Sequence, residues 1–193
     1  MPLMTNDNIR LYPHDRVVGF VFGFIPRWIE PNHLTVLRFV LIPVILILLW
    51  IQSWVWAIAV FAFAALTDVV DGSLARTRAQ ITLWGTIADP TADKLLIGSL
   101  ATYLVWRGLD PLFCIALIVL EVLIVANAFR RQQAGAYASA NNYGKTKMFF
   151  QVLGVGALLV QLVTPLAWLT PFAAIAFCIS LVFAFLSLVT YGL

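Results

Sequence analysis

Long apolar segments separated by short polar connections fill this chain from about residue 33 to its end. An α-helix needs about 20 mostly apolar residues to cross a bilayer, and six segments approach that length. We predict membrane-spanning helices at residues 33–53, 54–75, 83–106, 111–131, 146–164 and 169–191. Because the connections are short, consecutive helices should run antiparallel. The predicted fold class is all-α.

The composition supports a membrane protein rather than a soluble one. Of the 193 residues, 62% are hydrophobic and only 11% are charged, whereas soluble domains average about 25% charged residues. We therefore predict one polytopic membrane domain over residues 1–193, with a six-helix bundle over 33–191. Residues 13–29 mix apolar side chains with arginine and tryptophan, which is typical of a helix lying in the membrane interface.

The basic residues indicate the orientation of the predicted helices. Of the twelve lysines and arginines, only Arg107 falls on the opposite side from the rest in the six-helix topology. Basic residues concentrate on the cytoplasmic side of membrane proteins. Both termini are therefore predicted to be cytoplasmic, and the protein is expected in a prokaryotic cytoplasmic membrane. The positive net charge reflects this bias and gives no indication of nucleic-acid binding.

Four aspartates interrupt the apolar pattern within 26 residues. They are Asp68, Asp71, Asp89 and Asp93. A carboxylate at mid-bilayer costs about 3 kcal/mol by insertion scales, and neighbouring carboxylates also repel one another. The first two are three residues apart and the last two four apart, so each pair shares one helix face. If the second and third helices are antiparallel neighbours, all four converge at their cytoplasmic ends, as ligands suited to Mg²⁺, Mn²⁺ or Ca²⁺.

Small residues and an arginine accompany these acids. Gly72, Ala75 and Gly85 allow a bulky group to approach the backbone, or two helices to pack closely. Arg76 lies one turn beyond Asp71 and could bind a phosphate oxygen with its planar fork of donors. Together these features predict a site for a phosphate-bearing ligand that binds metal ions.

Structural explanations exist for each feature taken singly. Asp89 precedes Pro90 and could cap the start of a helix. Asp68 or Asp71 could form structural ion pairs with Arg76 or Lys94, and the glycines could serve packing alone. None of these explains all four acids, the arginine and the small residues together.

The complete pattern resembles the signature of the CDP-alcohol phosphotransferase family, D-x2-D-G-x2-A-R-x8-G-x3-D-x3-D. The stretch from Asp68 to Asp93 keeps every spacing of this signature. The segment from Pro31 to Pro43 is also similar to the start of the family's first membrane helix, and six spans are typical of the family. The resemblance covers nearly the whole chain.

The resemblance implies a reaction and a role for each signature residue. Family enzymes transfer a substituted phosphate from a CDP-linked alcohol to an acceptor hydroxyl and release CMP. Two divalent cations, Mg²⁺ or Mn²⁺, would be bound by Asp68, Asp71, Asp89 and Asp93. Asp93 would also be the general base, while Gly72, Ala75, Arg76 and Gly85 would contact the CDP group. A homodimer is expected as well.

The acceptor alcohol is less clearly indicated. Tyr143–Lys147 is similar to the G-K-x-K stretch of phosphatidylglycerophosphate synthases, which suggests glycerol 3-phosphate as acceptor and CDP-diacylglycerol as donor. The candidate acceptor-binding residues are Arg130, Arg131, Lys145 and Lys147. Basic residues in a cytoplasmic loop are also expected from topology alone. Leu120 stands before Glu121 where these synthases tend to carry arginine, so an inositol phosphate or another alcohol remains an alternative.

Two further hypotheses stay open at this point. Glu121 lies in an apolar segment, so it is either functional or paired with Arg130 or a neighbouring helix. The chain could also be a cation transporter whose membrane aspartates carry ions. Transporters of that kind often have interrupted helices in matching halves, and no such pair is evident here. The signature favours the transferase.

Overall fold

The computed structural model describes residues 31–77, 83–133 and 142–192, and within these ranges the chain is helical with no strand. The six helices of the described ranges are α1 Pro31–Trp50, α2 Trp54–Thr77, α3 Leu83–Gly108, α4 Pro111–Gln133, α5 Asn142–Gln161 and α6 Leu169–Gly192. The all-α prediction is confirmed. The predicted interfacial helix at 13–29 lies outside the described residues.

The helix bounds differ little from the predicted spans, and the largest difference is at α5. This helix begins at Asn142 rather than at residue 146. Its first turn, Asn-Tyr-Gly-Lys, is polar, so a prediction based on apolar length omits it. The helical backbone thus extends beyond the apolar segment.

Pro90 lies inside α3 and does not mark the start of a helix. The helix begins at Leu83, so Asp89 occupies its second turn. The possibility that Asp89 caps a helix start is therefore wrong. Proline lacks the N–H that would bond to the preceding turn, but the helix continues on both sides of it. Asp89 and Asp93 consequently remain on one helix face.

A tight turn joins α1 to α2. Gln52 adopts a left-handed backbone conformation with φ of 60°. The amide of Ser53 donates to the carbonyl of Leu48 at 2.9 Å, and that of Gln52 donates to Leu49 at 3.2 Å. This pair of hydrogen bonds is the Schellman ending of a helix. It reverses the chain within three residues and allows α1 and α2 to pack along each other.

Large apolar side chains cover the outside of several helices. In the described ranges, two helices, Asn32–Trp50 and Leu169–Thr190, are long and apolar enough to cross a membrane, and only 22% and 28% of their apolar windows are buried. Shorter apolar helices cover Trp54–Asp68 and Pro111–Asn127. Exposed Val, Ile and Trp side chains on α1 and exposed Phe, Ile and Leu side chains on α6 are typical of surfaces that contact lipid. The number of helices that span the membrane stays a prediction.

The chain divides into two compact units, Met1–Leu96 and Ile97–Leu193. In the described part of the first unit, α1 packs against α2. In the second unit, α6 packs closely against α5 and also contacts α4. Phe177 of α6 is fully buried and belongs to the core of this second unit.

A glycine on α5 makes the close contact with α6 possible. A β-carbon built on Gly154 would lie 2.8 Å from two ring carbons of Phe177, which is too close for unstrained packing. We expect Gly154→Ala to lower the free energy of unfolding by about 1–3 kcal/mol, the usual effect of an overpacked core. Thermal unfolding in detergent would measure it.

The matched control is Gly156, two residues further along α5. A β-carbon at Gly156 would meet no atom within 4 Å. Because alanine favours helices over glycine by about 1 kcal/mol, Gly156→Ala should leave stability unchanged or raise it. Equal effects of the two substitutions would contradict the packing role of Gly154.

Candidate active site

Two polar side chains of the mostly apolar helix α1 are buried. Thr35 is 1% exposed and Arg38 is 0% exposed. The two residues are three apart, so they lie on the same helix face. A buried guanidinium is always charged and requires partners that compensate the loss of hydration. This face of α1 therefore has to meet acidic groups from other helices.

Arg38 meets two of the predicted acids. Its Nη2 lies 3.0 Å from Oδ1 of Asp68 on α2. Its Nη1 donates to Oδ1 of Asp93 on α3, also at 3.0 Å. One guanidinium thus bridges carboxylates from two different helices, which is a use of the planar arginine fork that a lysine cannot reproduce.

The third predicted acid of this cluster is bound by the neighbouring α1 residue. The hydroxyl of Thr35 donates to Oδ1 of Asp89. The carboxyl group of Asp93 lies close enough to those of Asp68 and Asp89 to interact electrostatically with both. Three of the four aspartates therefore converge on one face of α1, in agreement with the prediction from their spacing.

The acids remain accessible although the arginine is not. The side chains of Asp68 and Asp93 are 42% and 33% exposed. The residues that bind them from α1 are fully buried, so the acids form the surface of the cluster and α1 forms its base. A ligand approaching the cluster would meet carboxylate oxygens first.

The remaining residues of the predicted site belong to the end of α2 and the start of α3. The side chains of Asp71, Gly72, Ala75 and Arg76 lie outside the described part, although their backbone belongs to the last turns of α2. Gly85 is buried in the first turn of α3, four residues before Asp89. It therefore shares a helix face with Asp89. The predicted CDP-binding roles of these residues stay predictions.

The donor set is suited to a hard divalent cation. Carboxylate oxygens are the ligands that Mg²⁺, Mn²⁺ and Ca²⁺ prefer, and the carboxyl group of Asp93 interacts here with those of Asp68 and Asp89. Among the described residues, no three acidic, histidine or cysteine side chains are arranged as a ready metal site. Asp71, the fourth acid of the predicted ligand set, is not included in that statement, because its side chain lies outside the described part.

The second unit contains a separate buried ion pair. Lys147 of α5 binds Oε2 of Glu121 of α4 through its ammonium group. The lysine side chain is 6% exposed and that of the glutamate 24%. Glu121 therefore pairs with a neighbouring helix, one of the alternatives that its sequence position left open.

The other candidate acceptor-binding residues differ from Lys147 in exposure. Lys145 and Arg130 are exposed, whereas the side chain of Arg131 lies outside the described part. Lys147 is bound by Glu121, so among the described candidates Lys145 and Arg130 are the more accessible cations.

Sequence reasoning missed Thr35 and Arg38 as members of the site. Arg38 fitted the excess of basic residues on the cytoplasmic side, so topology alone explained it. A different signal was present, because Thr35 and Arg38 share a face within a helix that is otherwise strongly apolar. A charge in that position requires an acidic partner, and the aspartate cluster was the nearest source of one.

Comparison with known proteins agrees with the signature. Residues 28–186 match the family described as CDP-alcohol phosphatidyltransferase. A protein of Bacillus subtilis named CDP-diacylglycerol–glycerol-3-phosphate 3-phosphatidyltransferase is 29% identical over 174 residues, covering 81% of this chain and 90% of its own.

Two other bacterial relatives have related names. A Mycobacterium tuberculosis protein named probable phosphatidylglycerophosphate synthase is 37% identical over 144 residues, which are 70% of this chain and 68% of the relative. A Rickettsia bellii protein with the same name as the Bacillus relative is 30% identical over 134 residues, or 67% of this chain and 74% of its own. The matched family segment contains all the residues of the aspartate cluster and of the α4–α5 ion pair.

Proposed function

This chain belongs to the CDP-alcohol phosphatidyltransferase family, and we propose that it transfers a phosphatidyl group from CDP-diacylglycerol to glycerol 3-phosphate. The products would be phosphatidylglycerophosphate and CMP. The observation that carries the proposal is the convergence of Asp68, Asp89 and Asp93 on the buried face of α1. The names of the bacterial relatives support glycerol 3-phosphate as the acceptor.

The proposed reaction is a displacement at the phosphorus that carries the diacylglycerol. The acceptor hydroxyl oxygen forms the new bond to this phosphorus, and the bond from it to the bridging oxygen of CMP breaks. Asp93 accepts the hydroxyl proton, and CMP leaves with the electron pair of the broken bond. Phosphoryl transfer depends mainly on positioning and charge neutralisation, with the attacking and leaving oxygens in line.

Divalent cations fit the chemistry of this donor set. We propose that Asp68, Asp71, Asp89 and Asp93 bind two of them, Mg²⁺ or Mn²⁺, which would neutralise charge on the diphosphate and lower the pKa of the acceptor hydroxyl. The partial exposure of Asp68 and Asp93 is compatible with access from outside the helix core. Gly72, Ala75, Arg76 and Gly85 are proposed to contact the CDP group.

The membrane environment suits a lipid donor and a soluble acceptor. Exposed apolar helix faces indicate membrane association. We propose that the aspartate cluster lies near the cytoplasmic interface, since eleven of the twelve basic residues fall on that side in the predicted topology. A homodimer is part of the same proposal.

The function is tested by CMP release from purified protein in detergent. The assay contains CDP-diacylglycerol and Mg²⁺ or Mn²⁺, with glycerol 3-phosphate, inositol 1-phosphate, inositol or serine added singly. Release that depends on glycerol 3-phosphate supports the proposal. If only another alcohol supports release, that alcohol is the acceptor. Failure to bind cytidine nucleotide would refute the transferase, and cation binding without nucleotide binding would favour ion transport.

Lys145 provides a specific test of the phosphorylated acceptor. It is exposed on the first turn of α5, and we propose that it binds the acceptor phosphate. Charged hydrogen bonds contribute about 1.5–3 kcal/mol, so Lys145→Gln should raise KM for glycerol 3-phosphate about 10-fold while KM for CDP-diacylglycerol stays within about 2-fold.

The control for this prediction is a basic residue that the predicted topology places on the opposite side of the membrane. Arg107 is exposed near the end of α3, and Arg107→Gln should leave both KM values unchanged. If Lys145→Gln and Arg107→Gln behave alike, Lys145 does not bind the acceptor.

A further inference from the structure

We propose that Arg38 and Thr35 form a positioning element that holds the aspartate cluster in its working arrangement before any cation binds. Arg38 fixes Asp68 and Asp93 side by side, and Thr35 fixes Asp89. The proposal rests on the function proposed above but assigns roles to two residues outside the aspartate signature. The acids themselves would supply the cation ligands, so neither Arg38 nor Thr35 is proposed to bind a cation.

The geometry of Arg38 makes it a bridge between helices. Each of its two terminal nitrogens lies 3.0 Å from one carboxylate, Asp68 on α2 and Asp93 on α3. Both of these contacts are made to the Oδ1 atom of the acid. The guanidinium fork is rigid and planar, which fixes the separation of the two carboxyl groups while their Oδ2 atoms lie outside these two contacts.

The charge of Arg38 explains how the acids can lie so close together. Carboxylates repel one another, and the repulsion is stronger in a low-dielectric region than in water. Arg38 supplies a positive charge that cannot be lost by deprotonation. Arg38 therefore compensates the negative charge of the cluster on its buried side. Carboxylate oxygens on the accessible side can then bind a ligand.

Burial separates this role from that of a substrate-binding arginine. The Arg38 side chain is 0% exposed, whereas those of Asp68 and Asp93 are 42% and 33% exposed. A ligand reaching the cluster contacts the acids, and Arg38 acts on it only through them. Partners that orient metal ligands typically change metal affinity or activity by about 10–100-fold when removed.

The charge-conserving variant Arg38→Lys tests the geometry of the bridge. Lysine keeps the positive charge, so any loss of Mn²⁺ binding or of kcat results from the absence of the planar guanidinium. We expect Mn²⁺ binding to weaken by about 10-fold, measured by titration of the substrate-free protein, and kcat to fall by about 10–100-fold. KM for CDP-diacylglycerol should stay within about 3-fold. Arg107→Lys, on an exposed arginine, should change none of these values.

Arg38→Gln tests the charge. Without metal, this variant should unfold at a lower temperature than the wild type, because the acids lose their buried counter-ion. Adding Mn²⁺ should recover more of the unfolding temperature in Arg38→Gln than it adds to the wild type. An identical metal-induced shift in both proteins would contradict the role of Arg38 as counter-ion.

Two substitutions of Thr35 test the positioning element independently if both Arg38 variants fail to fold. Thr35→Val removes the hydroxyl that donates to Asp89 with little change of shape, and Thr35→Ser keeps it. We expect Mn²⁺ binding to weaken about 10-fold in Thr35→Val and to return in Thr35→Ser. Normal Mn²⁺ binding and kcat in both Arg38→Lys and Thr35→Val would overturn the positioning element.

These results are distinguishable from failure of the proposed function. If the wild type releases CMP with an acceptor while the variants match it, only the positioning element is wrong. If the wild type binds neither Mn²⁺ nor cytidine nucleotide, the proposed transferase is wrong as well.

Discussion

Replacing Asp93 with asparagine is expected to lower acceptor-dependent CMP release by about 1,000-fold or more. General-base catalysis alone contributes about 10²–10⁴-fold, and the same carboxylate is a proposed cation ligand. The substitution preserves shape but removes the negative charge that meets Arg38. Steady-state kinetics should show the loss in kcat, with a smaller change in KM for CDP-diacylglycerol.

Asp110 offers a matched control for this substitution. Oδ1 of Asp110 accepts a hydrogen bond from the amide of Leu112 at 2.7 Å and thereby caps the start of α4. Asparagine caps helices about as well as aspartate, so Asp110→Asn should retain activity within about 2-fold. If Asp93→Asn keeps more than about a tenth of wild-type kcat, Asp93 is not the base.

Breaking the buried ion pair of the second unit should have the largest effect on stability. Lys147→Met leaves Glu121 without its partner, and Glu121→Leu does the same to Lys147. Removing one member of a buried pair destabilises a protein by about 3–5 kcal/mol, whereas replacing both by apolar residues is often neutral. The double variant should therefore be more stable than either single variant.

Thermal or denaturant unfolding of all four proteins measures this coupling. Lys145→Met is the control, because Lys145 is exposed two residues away on the same helix and should change stability by no more than about 0.5 kcal/mol. Additive effects of Lys147→Met and Glu121→Leu would show that the two side chains do not stabilise each other.

The helices were predictable because their pattern depends on local sequence. Apolar length gave six segments whose bounds agree closely with α1 to α6. The differences arise where helical backbone continues through polar residues, as at Asn142, or through a proline, as at Pro90 in α3. Hydropathy measures how apolar the side chains of a segment are, and it does not show where hydrogen bonding along the backbone stops.

Part of the site was also predictable from spacing. Asp89 and Asp93 are four residues apart, which places them on one face of a helix, and a short connection brings them near Asp68. The contribution of α1 was not predictable in this way. The contacts of Arg38 depend on the rotation of α1 relative to α2 and α3, and long-range packing rather than local spacing determines that rotation.

The ion pair of Glu121 illustrates the same limit. An acidic residue in an apolar segment predicts that a partner exists, and two partners were considered, Arg130 and a neighbouring helix. The relative shift of α4 and α5 selects Lys147. That shift follows from packing within the second unit, so the sequence could predict the need for a partner but not its identity.

The bridge formed by Arg38 also bears on how the protein is made. Arg38 precedes its partner Asp93 by 55 residues, and Thr35 precedes Asp89 by 54. At about 5–20 residues per second of synthesis, α1 emerges roughly 3–11 s before the acids of α3. During that interval a guanidinium stands near the start of a newly inserted helix without its second counter-ion. Nascent α1 should therefore remain shallow in the membrane, or associated with the insertion machinery, until α3 arrives and completes the assembly.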